Sequence, residues 1–374
     1  MKKTLCLLLT AAMLLAVGGC AKENDNTDTP QGDNQNQQTE TDYQLPELVK
    51  TEYDDKVVMT IGGKDISAAL YRYYLLNLRS QYGSALADNE EMSGYIEEQI
   101  VSYLKEYAAT DVMAKENSIT VPDEAKTELD NYIAQVIAQI DAEENTSYAD
   151  ELVNANMTDA MFRDMQDNSL VQSQIYVSLY QDKATDDEIL DYIHENYVRV
   201  KHILIKTVDL DDEQKAEARS RADKVLERAK NGESFEDLVK EFSEDGMDAD
   251  IGYYFTTGEM VPEFEEKSFE LAEDEISDIV ESPYGYHIIK KYAMDDSHIL
   301  SDETLRSAAQ DALCEAKFRA DLSEIAEPLE VVYADDFEAT RQKILDEYAA
   351  KEAQNESADT EGDTTAAEDS SDAE

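Results

Sequence analysis

The chain has 374 residues, 86 of them acidic against 32 Lys and Arg, for a formal net charge of −54. A surface of that sign repels nucleic-acid phosphates and anionic lipid headgroups, so nucleic acid is excluded as a partner and charge does not hold the body to phospholipid. Four histidines and three cysteines are present; no third His or Cys has the spacing of a metal ligand, so no zinc site is expected.

The N-terminus, "MKKTLCLLLTAAMLLAVGGC", has two lysines, an apolar run from Leu5 to Val17, then small residues ending in Cys20. That is the layout of a signal peptide, and the run is too short to span a bilayer comfortably. Val17-Gly18-Gly19-Cys20 resembles the lipobox of bacterial lipoproteins, in which the cysteine becomes the first residue and carries lipid. Residues 1–19 are read as the signal and 20–44 as a flexible tether, because "AKENDNTDTPQGDNQNQQTETD" is polar and nearly free of apolar side chains. Cys6 leaves with the signal and Cys20 takes lipid, so Cys314 alone remains, in a helical pattern, and no internal disulfide is available.

From 45 to 197 the chain reads as mostly helical. "KVVMTIGGKDIS" (56–67) suggests a short strand, a Gly-Gly turn and a helix start, with helical periodicity from Ile66. Helical stripes follow through Ile96–Tyr107, behind Pro122, across 158–181, and from Thr185, whose Glu188 sits at capping-box spacing. At Val198 the texture becomes β-branched: "VRVKHILIKT" is a strand. It is followed by helices over 213–230 and from Ser234, a strand "IGYYF", a short helix opened by Pro262, and strands "EISDIV" and "YHIIKKY". This irregular alternation predicts an α+β domain with a small, mostly antiparallel sheet, inserted in a mostly helical domain. Residues 293–350 return to helix and are expected to pack on the N-terminal helices, with "LEVVYADD" adding a strand. The acidic tail 351–374 is read as disordered.

"KHILIK", "SFEDLVKEFSED", "IGYYFTTGEMVPEFEEKSFEL" and "EISDIVESPYGYHIIKKY" together resemble, in order and spacing, the parvulin family of peptidyl-prolyl cis–trans isomerases over 198–292. With the lipobox and flanking helices, the whole chain is similar to extracytoplasmic foldase lipoproteins of the PrsA type, and 57–197 looks like the helical chaperone region of PrsA and SurA. The resemblance implies His202, Asp245 and His287 as the catalytic set. It implies Met260 and Phe264, with Ile251 beside them, as the pocket for a proline ring, and Ser282, Tyr284 and Tyr286 as its border. It implies unfolded or newly secreted proteins as clients at the outer face of the cell membrane, and leaves a homodimer open. The chain departs from the family in the loop from Asp245 to Gly252, which is shortened and lacks a Gly pair. A holdase with a degenerate, non-catalytic domain is therefore the alternative.

The chemistry calls for no cofactor. Rotation about an Xaa–Pro bond meets a barrier of about 18–20 kcal/mol and takes roughly tens to hundreds of seconds unaided. A site need only bind the twisted amide better than the planar one. The anchor reading has a direct test. Cys20→Ala should move the protein from the membrane fraction to the soluble fraction, since dual or multiple acylation is what holds such chains to a bilayer. A variant that still sediments with membranes after a high-salt wash would overturn it.

Overall fold

The structure, a computed structural model, describes residues 51–83, 89–143 and 146–364; the signal and the whole tether, Cys20 included, lie outside the described residues. The chain divides into two compact units. One is made of the residues up to Leu179 together with those from Phe318 onward, and the other is Tyr180–Lys317.

The first unit begins with a hairpin. Strand β1 (Val57–Ile61) pairs antiparallel with β2 (Lys64–Ser67) across Gly62-Gly63. Both glycines have positive φ, as a tight two-residue hairpin turn demands. The segment expected to enter a helix at Ile66 is thus first a strand: the Gly-Gly turn sends Lys64–Ser67 back along β1, where Ile66 is fully buried. Ser67 then caps α1 (Ala68–Tyr82) by accepting from the Leu70 amide. Helices α2 (Glu90–Glu116), α3 (Asp123–Asp141), α4 (Tyr148–Asn154) and α5 (Asp159–Leu179) follow. Their apolar stripes, including Ile100, Leu104, Ile133, Ile140 and Phe162, join Val58, Ile61 and Tyr71 in one core.

The second unit opens with α6 (Asp186–Asn196), whose Thr185 and Glu188 form a reciprocal capping box. Strand β3 (Tyr197–Lys206), α7 (Asp212–Lys230), α8 (Phe235–Phe242), β4 (Tyr253–Thr256), α9 (Pro262–Glu270), β5 (Val280–Ser282) and β6 (Gly285–Tyr292) complete the predicted α+β pattern, with sheet order β4-β3-β6-β5 and every pair antiparallel. Alternation along β3 divides the core. Ile203 and Ile205 join Ile288 under α7 and α8, while Val198 and Val200 join Phe255, Ile289 and Phe264 on the other face. "EISDIV" is mostly not strand: β5 keeps its last residue only, and Ile276 makes a lone bridge to Lys290.

Two further helices, α10 (Asp296–Ser301) and α11 (Glu303–Ala326), follow β6. Their Ile299 and Ala309 are buried with Ile189, Ile193 and Tyr197, so the second unit extends beyond 198–292 at both ends. This shared apolar contact is why 180–197 and 293–317 group with the sheet. The division falls within α11, and the chain returns to the first unit with β7 (Val331–Tyr333), which pairs antiparallel with β1, and α12 (Phe337–Thr364). Residues 351–364, expected to be disordered, continue that helix; once a packed turn around buried Ile344 exists, adding Ala, Glu, Lys and Gln residues is cheap, because nucleation is already done. Residues 365–374 lie outside the described residues.

A close approach fixes the start of β6. A Cβ built on Gly285 would lie 2.2 Å from the carbonyl oxygen of Ile205, and φ there is +149°. Gly285→Ala should therefore lower stability by about 1–3 kcal/mol, the usual range for forced backbone strain, read as the urea unfolding midpoint. An unchanged midpoint would show that the β3–β6 junction can yield.

Candidate active site

Register brings the two central histidines together. β3 and β6 pair His202 with Ile289 and Leu204 with His287, so both imidazoles lie diagonally on one face of the sheet. Their rings are nearly parallel at 18°, with centroids 5.3 Å apart, and their Nδ1 atoms are 3.1 Å apart. Each end of the pair has a partner. His202 Nε2 lies 3.1 Å from Asp245 Oδ2, and His287 Nε2 lies 2.7 Å from Ser282 Oγ. The result is a continuous line Ser282–His287–His202–Asp245.

The line has two proton arrangements that satisfy every link. In one, Ser282 donates to His287, His287 Nδ1 donates to His202 Nδ1, and His202 Nε2 donates to Asp245. The other carries one more proton: the proton between the Nδ1 atoms passes from His287 to His202, and a proton added at His287 Nε2 is donated to Ser282, so the first two links turn round. Reversing one link of the line therefore reverses its neighbour, and Ser282 stands three links from the carboxylate.

Asp245 is held by more than His202. Its Oδ2 accepts from the Tyr253 hydroxyl at 2.7 Å and the Met247 amide at 3.1 Å. The His202 hydrogen bond, then those of Tyr253 and Met247, keep its carboxyl well below the usual range. Tyr253 is pushed up to about 12, by burial first and then by Asp245. His287 is pushed down to about 4, chiefly by burial and next by the neighbouring His202. The short loop does not displace Asp245. Ser243 Oγ accepts from the Leu204 and Asp245 amides, the Glu244 amide donates to the Leu204 carbonyl, and Asp248 Oδ1 accepts from the Asp250 and Ile251 amides. Gly252 closes the loop with φ +86°, where a Cβ would lie 2.5 Å from the Val200 carbonyl oxygen.

Phe264 packs on the histidines from α9. Its ring centroid is 5.0 Å from that of His202 and 5.2 Å from that of His287. Met260, half-buried, packs against the same apolar cluster; its backbone amide and that of Gly258 donate to Glu265, which fixes the turn before Pro262. Ser282 is buried against His287, and its Oγ also accepts from the Tyr284 amide. Tyr284 itself is exposed.

Two expected residues, one of the border and one of the pocket, fall elsewhere. Tyr286 points to the opposite face, among the residues under α7, with Arg219 over its ring. Neighbours along a strand alternate, so a residue next to His287 cannot share its face. Ile251 is exposed and outside the Met260–Phe264 cluster; its carbonyl accepts from Arg199 Nε. Sequence reasoning missed Tyr253, although its spacing from Phe255 in "GYYF" puts it on the inner face.

Burial separates roles within the set. His202 and His287 are 3% and 4% exposed, and Phe264 is 3% exposed. Asp245, Met260, Tyr253 and Tyr284 carry the accessible surface. The histidines thus stand behind the rim and set the orientation and hydrogen-bonding sense of Asp245 and Ser282.

Among known proteins, residues 188–294 match the PPIC-type peptidyl-prolyl isomerase domain, so this stretch of the chain is a domain of the parvulin type. Beyond the domain its relatives are PrsA foldases. It is 40% identical over 128 residues to foldase protein PrsA 1 of Bacillus cereus, an alignment covering 32% of this chain and 41% of that one, so the chain spans less than half the length of that relative. It is 29% identical over 281 residues to foldase protein PrsA of Halalkalibacterium halodurans, covering 71% and 72% of the two chains. Among solved structures, a PrsA peptidylprolyl isomerase from Bacillus cereus aligns with 78% of this chain and 99% of its own at 18% identity and a TM-score of 0.32.

The displaced His287 has a pH signature. The unfolded chain takes up this proton near pH 6.5, whereas folded His287 stays neutral down to about 4. Between those values the unfolded state binds more protons, so stability falls as pH drops, by at most about 1.4 kcal/mol per pH unit. His287→Gln should flatten the dependence of the urea midpoint on pH between 6.5 and 4. An identical slope in the variant would show that other groups cause it.

Proposed function

We propose that the chain is a lipid-anchored foldase at the outer face of the cell membrane that catalyses cis–trans isomerisation of Xaa–Pro bonds in unfolded or newly secreted proteins. The observation that supports this most is the unbroken Ser282–His287–His202–Asp245 line with Phe264 packed on both imidazoles. No part of it is a nucleophile aimed at a bond, and bond rotation needs none.

Under this reading the proline ring rests on Met260 and the accessible edge of the Phe264 cluster, beside Asp245. The planar amide loses its C–N resonance on twisting, which raises charge at the carbonyl oxygen and leaves a lone pair on nitrogen. A rigid polar floor whose donors and acceptors are already ordered favours that state over the planar one without reorganising. A rate gain of about 10⁵ corresponds to roughly 7 kcal/mol of such preference. His202, His287 and the buried Ser282 act as positioning residues, and Asp245, Met260 and Tyr284 are the groups within reach of substrate. The two units would divide the labour, with isomerisation in 198–292 and holding of unfolded chains in the helical unit.

The test is cis–trans exchange of an Xaa–Pro peptide by NMR with the full-length protein. Met260→Ala should slow catalysed exchange about ten-fold, the equivalent of roughly 1.4 kcal/mol of lost contact, with unfolding midpoints unchanged within about 1 kcal/mol. Asp245→Asn should also slow exchange and shift its pH profile. Equal exchange with and without the wild-type protein would remove the enzyme reading and leave the non-catalytic holdase.

A further inference from the structure

A second recessed site lies in the first unit, remote in sequence from the parvulin domain. A cleft of about 540 Å³ opens between the start of α2 and the β7–α12 segment. Tyr333 and Phe337 form its aromatic wall, with ring centroids 4.6 Å apart. Glu97 lies at its base. One carboxylate oxygen, Oε2, accepts from the Tyr71 hydroxyl at 2.6 Å and is 3.6 Å from Arg341 Nε. The other, Oε1, is buried and accepts no hydrogen bond. A buried acceptor left this way costs about 1–3 kcal/mol, and burial pushes the Glu97 carboxyl above the usual carboxylate range against the pull of Tyr71 and Arg341. Arg341 is also engaged with Ser93 Oγ at 2.9 Å. Asp335 and Glu338 add two more carboxylates to the lining.

The cleft runs beside a sheet edge. In the order β2-β1-β7, β7 is an end strand among the described residues. Its bonds to β1 recur at every second residue. The Gly62 amide meets the Glu330 carbonyl, Val332 pairs with Thr60, and the Ala334 amide meets the Val58 carbonyl. In an antiparallel ladder the intervening residues then aim their backbone groups outward. Those are Val331 and Tyr333. Val332 and Tyr333 are also among the exposed large apolar side chains.

We infer that this edge and cleft bind an extended client segment that adds as a strand along β7 and places a lysine or arginine over Tyr333 against Glu97. Charge selects the occupant. A second copy of this chain carries a net −54, and the segments outside the described residues at both ends of the body are acidic, so neither complements three carboxylates around one engaged guanidinium. A cation supplies the donor that Glu97 Oε1 lacks and gains from the aromatic wall. Strand addition supplies affinity through the backbone and is indifferent to most of the sequence, which suits a protein handling many unfolded chains. The inference rests on the foldase reading and specifies where, and for which segments, its helical unit takes hold.

The probe is a fluorescently labelled peptide alternating valine and lysine, without proline, titrated into the full-length protein and followed by anisotropy. A valine–glutamate counterpart should not bind. Glu97→Gln, which keeps the bond from Tyr71, should weaken the valine–lysine peptide roughly ten-fold or more, while Glu217→Gln, on α7 in the other unit, should leave it unchanged. N-methylation of alternate peptide amides should abolish binding in one of its two registers with the protein unaltered, so the result does not depend on a variant folding. Equal weakening by Glu217→Gln would reduce the effect to diffuse charge attraction and overturn the site, as would indifference to Glu97→Gln or to N-methylation in both registers. Because the peptide has no proline, loss of this binding with Xaa–Pro exchange intact overturns the cleft alone, and absent exchange with binding intact overturns only the isomerase.

Discussion

Eight consecutive antiparallel pairs join β3 to β6, from Arg199–Tyr292 to Lys206–Gly285, and both faces of the second unit depend on their register. On one face the pairing aligns Ile203, Ile205 and Ile288 beneath α7 and α8. On the other it sets His202 beside His287. A slip of β6 by one residue against β3 would turn His287 toward α7 and α8 and bring Ile288 to the α9 face, parting the two imidazoles, because the period of a strand is two. The same hydrophobic burial that stabilises the domain thus holds the polar line in place. Gly285 and Gly252, each under a carbonyl of β3, mark where the flanking chain presses closest on that strand.

The extreme charge of the molecule acts at a different scale from the site. Ion pairs such as Arg228 with Glu233 and Glu241, or Lys240 with Asp250, lie at the surface, where each contributes little. Buried charge is rarer and tightly partnered. Arg72 and Asp54 meet at 2.6 Å with side chains 6% and 2% exposed, and Lys201 reaches Glu236 beneath Tyr292. In the active-site line the charge sits at one end only. Asp245 is ionised and partly exposed, while burial keeps His287 neutral near pH 7. Polarity is therefore graded across the floor from carboxylate to hydroxyl.

Several features of the chain were legible because they are local. The capping box of Thr185 and Glu188, the strand "VRVKHILIK", Pro262 at the first turn of α9 and the helical stripes all follow from residue order and periodicity. Others were hidden where two local rules compete. Ile66 fits a helical stripe, yet the Gly62-Gly63 turn makes its segment a strand first. Residues 351–364 lack large apolar side chains, yet they prolong a helix already nucleated by its packed first turns. "EISDIV" alternates like a strand but meets β6 properly only at its end.

The sequence by itself determined the alternation that gives each strand an inner and outer face, the helices and their caps, and the presence of two histidines, an aspartate and a Met–Phe pair at the spacing of a parvulin domain. Even the exclusion of Tyr286 was available from alternation once His287 was placed inward. What only the tertiary structure decided was which groups meet. Tyr253 on Asp245, Ser282 on His287 and the unmatched oxygen of Glu97 beside Tyr333 arise between residues from 5 to 236 positions apart. Contact at such separations depends on register and on helix packing, which no single segment encodes. Burial is likewise a property of the assembled core. It sets the two histidines behind Asp245, because the apolar faces of α9 and the sheet close over them.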